Sequence, residues 1–225
     1  MNYKHGLLHL GLTLLIYLGL PLLGWGILDL RGFLSEGGRV GFVLLTLMGA
    51  ILAGYQGMLI PESRGEPGKR VTRQTIFLIV FGVLGGALLF ALPFCDRRGL
   101  VTWGQNSGLR IWGTALLAVG GTIMFWSVLE LGRQYSAEVT IQTEHRLVTT
   151  GWYQHLRHPR YLGLIVMVLG LALVFRAWIG LAAVVVTTGA LIWRIFDEEK
   201  MLRKEFGEQW EAYCQHTWRL IPRLW

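Results

Sequence analysis

YLGLIVMVLGLALVFRAWIGLAAVVVTTGALIW, residues 161–193, is an apolar run broken by a single charge, Arg176. Its length decides the fold. A hydrocarbon core about 30 Å thick takes about 20 apolar residues per helix, so the run is too long for one crossing. It is too short for two full ones, since Tyr161–Phe175 as helix reaches only about 22 Å. A helical hairpin turning near Arg176-Ala177-Trp178 satisfies both limits. At an interface the arginine can snorkel and the indole can anchor. A continuous helix would leave Arg176 unpaired near mid-membrane, at about 2.5–3.5 kcal/mol on insertion scales.

Outward from this run, four more apolar windows stand at Gly6–Leu28, Val40–Ile60, Gln74–Phe94 and Ile111–Leu129. With 53% hydrophobic and 16% charged residues and a mean hydropathy of +0.47, the chain is too evenly apolar for a soluble domain. Continuous rather than alternating apolar stretches exclude a membrane β-barrel. The first segment exceeds a signal-peptide core and lacks a small-residue cleavage site, so it reads as a membrane helix. The expected fold is all-α: a polytopic transmembrane bundle of about six membrane helices, the last two a hairpin, followed by a C-terminal amphipathic interfacial helix. No internal repeat is evident. Residues 1–130 hold the N-terminal transmembrane helices, and residues 131–225 gather the polar, chemistry-bearing stretches.

Six crossings place fifteen of the 21 Lys and Arg residues on the side of both termini and six on the other. The positive-inside rule makes the termini cytoplasmic. The net charge of +7 is then explained by topology and anionic headgroups, and a nucleic-acid partner is not needed. Cys95 and Cys214 fall on opposite sides and cannot pair, and no metal-ligand spacing is present. Gly49, Ala53 and Gly57, and likewise Gly82 and Gly86, form small-residue stripes suited to close helix packing. Pro21 is expected to kink the first helix. In the tail, Leu202, Phe206, Trp210 and Tyr213 recur at i, i+4, i+8 and i+11, an apolar stripe on a helix whose first turn would carry Glu198 and Glu199.

The hairpin has a chemical consequence. Its start, RHPRYLG (Arg157–Gly163), and its end, RIFDEEK (Arg194–Lys200), return to the same cytoplasmic face, joined there by GRQYSAEV (Gly132–Val139) and the stretch from His145. A residue before proline avoids the helical region, so His158 should occupy an extended turn with Pro159 opening the next helix. The ring and the first-turn amides then address one volume, and a helix N-terminus attracts carboxylate or phosphate. Arg194 and Glu198 lie one helical turn apart and project together. Taken singly, these residues read as interfacial anchors and a surface ion pair worth about 0–1 kcal/mol. Gathered at one face, they read as a site.

The succession G-x-Y-x4-RHP-x-Y-x-G, an apolar hairpin, then R-x3-EE-x2-L-x3-FG-x2-[WY]-x2-Y resembles the isoprenylcysteine carboxyl methyltransferase and phospholipid methyltransferase family of integral membrane enzymes. It is carried by Gly151, Tyr153, Arg157, His158, Pro159, Tyr161 and Gly163, then Arg194, Glu198, Glu199, Leu202, Phe206, Gly207, Trp210 and Tyr213. GRQYS resembles the family's preceding G-R-x-x-S stretch. The likeness runs from about Leu131 to Pro222. It implies an S-adenosylmethionine-dependent methyltransferase with a lipophilic acceptor drawn from the bilayer. It implies that Leu147, Val148, Gly151, Tyr153, His158, Pro159, Tyr161 and Gly163 contact the cofactor, with Glu198 and Glu199 on its ammonium group or ribose. Arg194 and Glu198 would be catalytic, Arg194 orienting an anionic acceptor, since a guanidinium clamps a carboxylate in a bidentate way.

A carboxylate acceptor, prenylcysteine-like, needs no base. An amine such as phosphatidylethanolamine must lose a proton, which would recast Glu198 or Tyr161 as a base, and a thiol acceptor is a further alternative. Sterol reductases, which use NADPH, are similar in this half, although Arg160 stands where their motif tends to have asparagine. A transporter or assembly factor is the non-enzymatic alternative. It would ask for ionisable groups at mid-membrane, and the first four segments offer little beyond His9.

Overall fold

The structure, a computed structural model, describes residues 3–59, 72–104, 106–132 and 146–225. Most of GRQYSAEV, and Arg64, Lys69, Arg70 and Arg133 of the charge-asymmetry argument, lie outside the described residues. Among those described the elements are helical, with two isolated bridges and no strand.

α1 (Tyr3–Leu14), a π-helical turn (Leu15–Gly19) and α2 (Leu20–Trp25) make one apolar span. The irregularity expected at Pro21 is that π turn. Pro21 cannot donate to the preceding turn, and widening the helix makes room for its ring. α3 (Leu30–Phe33) is a short connector capped by Asp29, whose carboxylate accepts from the Gly32 amide at 3.0 Å. α4 (Gly37–Leu59), α5 (Thr72–Arg98) and α6 (Ser107–Leu131) follow, then α7 (Pro159–Val174), α8 (Trp178–Phe206) and α9 (Glu208–His216).

Five helices among the described residues are long and apolar enough to cross a membrane, and α7, with 16 residues, is a shorter apolar helix. The hairpin turns where the sequence placed it, at Phe175–Ala177 between α7 and α8. Arg176 takes a left-handed φ of 50° there. Its side chain does not snorkel as expected. It is 6% exposed and donates to Asp96 Oδ1 from Nε at 3.1 Å and from Nη2 at 2.8 Å. Arg110 meets the same carboxylate at 2.7 and 2.9 Å, and Arg39 meets it at 3.1 Å. Further donors go to backbone carbonyls, Arg39 to Phe33 and Gly32, Arg110 to Val174 and Arg176 to Gly104, and Arg39 also donates to the Ser35 hydroxyl. A charge this deep persists only when paired and hydrogen-bonded, and Asp96 supplies the pairing. The hairpin tip is also sewn to the α5–α6 loop, with Trp178 N donating to Val101 O and Trp103 N to Arg176 O.

α6 and α7 form the most extensive helix pair. A Cβ added at Gly120 would stand 2.6 Å from the Gly163 carbonyl, and one at Gly113 2.7 Å from that of Gly170. Both contacts are with backbone, so the close approach requires glycine. The stripes read from the sequence contribute less: Gly57 meets the His9 ring on α1, but a side chain at Gly49 or Gly82 would touch nothing within 4 Å.

The C-terminal region also differs from expectation. α8 runs unbroken to Phe206, because Glu198 to Glu205 offer no helix breaker, so the two glutamates sit inside α8 rather than in the first turn of an amphipathic helix. Gly207, with φ 50°, ends α8. α9 then folds back and buries Trp210.

Candidate active site

His158 caps α7 with φ −128° and ψ 54°, and Pro159 opens the helix, as the pre-proline rule requires. Backbone from beyond α9 fixes this corner. Arg157 N donates to Trp218 O at 2.7 Å, His158 N donates to Arg219 O at 3.0 Å, and Trp218 N donates to His155 O at 3.0 Å.

Onto the corner α8 delivers its acidic pair. Neighbouring residues on a helix point about 100° apart, so Glu198 and Glu199 meet different partners. Glu199 is 3% exposed. Its Oε1 accepts from Arg157 Nε at 2.9 Å and its Oε2 from Arg219 Nε at 2.9 Å. Arg157 continues to the Thr217 carbonyl at 2.6 Å and the Cys214 carbonyl at 3.2 Å, closing the C-terminal end of α9. Cations suit that position.

Glu198 retains 29% side-chain exposure. Its Oε2 accepts from the Tyr161 hydroxyl at 2.7 Å, and that hydroxyl accepts from Arg194 Nε at 2.8 Å. Arg194 is buried, with the Phe77 ring of α5 5.5 Å from its guanidinium carbon. His158 stacks on Tyr161 with centroids 5.5 Å apart and planes 10° from parallel. The imidazole lies between the two acids, Nδ1 4.0 Å from Glu198 Oε2 and Nε2 3.4 Å from Glu199 Oε1. Nε2 is buried, yet it is not aligned for a hydrogen bond with any group.

Of the residues singled out in the sequence, His158, Tyr161, Arg194, Glu198 and Glu199 therefore converge. Pro159 starts α7, and Gly163 belongs to the α6–α7 seam. The preceding segment is attached through other contacts. Gly151 begins a 3-10 turn to Gln154, Trp152 N donates to Glu130 Oε2 at 2.8 Å, and the Tyr213 hydroxyl donates to the Tyr153 carbonyl at 2.6 Å. Burial pushes the Tyr213 phenol well above the usual tyrosine range, against a smaller pull from Arg157, so it stays a donor. Burial likewise raises the Tyr153 phenol, which feels Arg160, Glu198 and Glu130. Leu147 and Val148 are half-buried, and Leu147 lines a cleft of about 590 Å³ with Gln154, Tyr213 and His216.

Sequence reasoning missed Arg219, Thr217 and Glu130, and assigned Arg157 no role. A lone arginine in the apolar tail TWRLIP was the one signal pointing to Arg219. Among the described residues no three His, Cys, Asp or Glu side chains gather as a metal group.

The donor set fits a small cationic cofactor. Glu199 is neutralised by Arg157 and Arg219, whereas the part-exposed Glu198 carboxylate is bonded through the Tyr161 hydroxyl and keeps acceptor capacity open. Charge-assisted bonds to an ammonium group would fill it.

Fold and site together define a polytopic helical membrane protein with a cluster of acids and arginines where the two ends of its hairpin meet. Residues 109–209 match the family model described as phospholipid methyltransferase. A "Probable protein-S-isoprenylcysteine O-methyltransferase" of Oryza sativa subsp. indica is 28% identical over 117 residues, which is 49% of this chain and 59% of that protein. A "Delta(14)-sterol reductase" of Gallus gallus is 34% identical over 85 residues, 37% of this chain and 13% of that protein. The solved structure of an "intramembrane Ras methyltransferase ICMT (isoprenylcysteine carboxyl methyltransferase)" shares the fold, with a TM-score of 0.53 at 20% identity over 96% of this chain and 74% of that one. Through its C-terminal half the chain is similar to the phospholipid methyltransferase family and to protein-S-isoprenylcysteine O-methyltransferases, and it shares its fold with the solved methyltransferase. It spans about three-fifths of the length of the first curated relatives it matches.

Proposed function

We propose that the chain is an integral membrane methyltransferase that transfers a methyl group from S-adenosylmethionine to a lipophilic acceptor, a prenylcysteine-type carboxylate. The observation that carries this reading is the junction of the hairpin's two ends, where Glu198, Tyr161 and Arg194 form one hydrogen-bonded row beside His158. Residues 1–130 are the lipid-embedded scaffold in this reading. Residues 131–225 hold the cofactor, on the cytoplasmic face given by the charge asymmetry, with both termini on that side.

When bound, the cofactor supplies an electrophilic methyl on a sulfonium. The chain supplies position and charge. Glu198 meets the cofactor's ammonium group or ribose. Glu199, closed off by Arg157 and Arg219, holds the corner in shape, and the α7 N-terminus attracts a carboxylate. Leu147, Val148, Gly151 and Tyr153 wall the adjoining side. Arg194 orients the acceptor, its guanidinium fork matching a carboxylate. Neither oxygen of an ionised carboxylate acceptor has a proton to lose, so in-line alignment in a dry site suffices.

Radiolabelled methyl transfer to a panel of acceptors tests the reading. A base-labile product on a farnesylated cysteine carboxylate, marking an ester, is the expected result. Label on phosphatidylethanolamine or a thiol instead would keep the methyltransferase and reject the acceptor. A second reading, an NADPH-dependent sterol-type reductase, is favoured by the match to the Gallus gallus reductase. Stabilisation of the protein by NADPH but not by S-adenosylhomocysteine would install it.

A further inference from the structure

Three candidates stand out beyond the residues assigned above: the Asp96 arginine cluster, the cleft beside α9, and the hydroxyl of Tyr161. The Asp96 carboxylate is fully enclosed, and among the described residues the cleft holds no buried side-chain polar atom without a partner. The hydroxyl carries an inference. It is the atom through which the acceptor side and the cofactor side of the pocket touch, 2.8 Å from Arg194 Nε and 2.7 Å from Glu198 Oε2.

Its bonding is directional. Arg194 Nε–H can only donate, so the hydroxyl oxygen accepts from it and must spend its single proton on Glu198. Each partner fixes the other: an ionised Glu198 orients the O–H, and the oriented oxygen holds the Nε edge of the guanidinium. Tyr161 has little freedom to escape this arrangement. It is 6% exposed, lies on the first turn of α7, packs with Leu191, Ile195 and Leu220, and stacks on His158. Hydrogen bonds in a row through a low-dielectric interior polarise one another.

We propose that Tyr161 is a positioning residue that couples the two ligands. Engagement of Glu198 by the cofactor sets the hydroxyl and hence Arg194, so acceptor and cofactor bind with positive cooperativity. This rests on the methyltransferase reading above. Coupling of this kind is reciprocal, because linkage requires each ligand to tighten the other by the same factor.

The test is a thermodynamic cycle on the full-length protein in detergent. S-Adenosylhomocysteine affinity is measured with and without saturating N-acetyl-S-farnesylcysteine, in the wild type and in Tyr161→Phe. Expected is a tightening of about tenfold in the wild type that falls to about onefold in Tyr161→Phe, whatever the change in either single affinity. A residue that merely supports the fold would weaken both single affinities and leave the ratio intact. Wild-type protein that binds both ligands independently, or a Tyr161→Phe variant that keeps the full ratio, overturns the proposal. Wild-type protein that binds neither ligand overturns the underlying reading instead. Should Tyr161→Phe bind neither, Arg194→Lys, which removes the Nε donor, takes its place in the cycle. Loss of the ratio there supports the coupling, and its retention overturns it.

Discussion

Asp96→Asn isolates the charge cluster that holds the far end of the hairpin. The Asp96 side chain is fully buried and accepts from Arg39, Arg110 and Arg176, whose side chains are no more than 7% exposed. The substitution keeps the shape, removes the negative charge, and places an amide N–H₂ where two guanidinium donors already point. Removing one partner of a buried ion pair costs about 3–5 kcal/mol. The guanidiniums keep their bonds to the Phe33, Gly32, Val174 and Gly104 carbonyls, which caps the loss near that range rather than three times it. For a chain of this size, about 2–4 °C per kcal/mol turns this into a fall in Tm of about 6–20 °C. Scanning tryptophan fluorescence in detergent at a fixed heating rate reads it. The site lies about 24 Å away along α7, so cofactor binding by the folded fraction should be unchanged at low temperature. A Tm within about 2 °C of wild type would refute the claim that Asp96 neutralises the hairpin tip.

Glu198→Ala is expected to abolish S-adenosylmethionine binding, followed by calorimetry, while the protein remains monodisperse on size exclusion; normal binding would remove Glu198 from the site. Arg194→Ala should depress turnover more than cofactor affinity, and an equal loss of both would reject its role in orienting the acceptor. Arg219→Ala leaves Glu199 with Arg157 as its remaining guanidinium. A hydrogen bond to a charged group contributes about 1.5–3 kcal/mol. Because Arg219 is 28% exposed, the low end applies, about tenfold weaker cofactor binding, and an unaltered affinity would show that the tail does not support the corner.

The sequence made the hairpin legible because one arginine interrupts an apolar run at a spacing only a turn can explain. It did not reveal Arg176's partner. Asp96 lies 80 residues upstream, and no local periodicity links an acid in the last turn of α5 to three arginines elsewhere in the chain. The α6–α7 seam was hidden for a related reason. Gly113 and Gly120, like Gly163 and Gly170, are seven apart, two helical turns, so each pair marks a face only once the facing helix is known. Searching single helices for small-xxx-small spacing led to Gly49 and Gly82, which meet nothing. In the site, RHP and EE were readable because proline dictates its predecessor's backbone and the hairpin returns the chain. Arg219 was not, since a nine-residue irregular tail has no period from which to infer where it docks.

Each end of the hairpin is thus tied by a carboxylate among arginines, and the two clusters differ in what they leave unsatisfied. Asp96 is enclosed and fully engaged, so nothing remains for a ligand to bind. Glu199, with a guanidinium on each oxygen, resembles it. Glu198 does not: it is in contact with solvent and held by one neutral hydroxyl, with His158 Nδ1 4.0 Å away. Open polar capacity beside closed polar capacity is what a binding site requires, because donors and acceptors that must meet a ligand need neighbours already fixed against rearrangement. The division of adjacent glutamates follows from helix geometry alone: about 100° of rotation sends one to the arginines that build the corner and the other to the space in front of it.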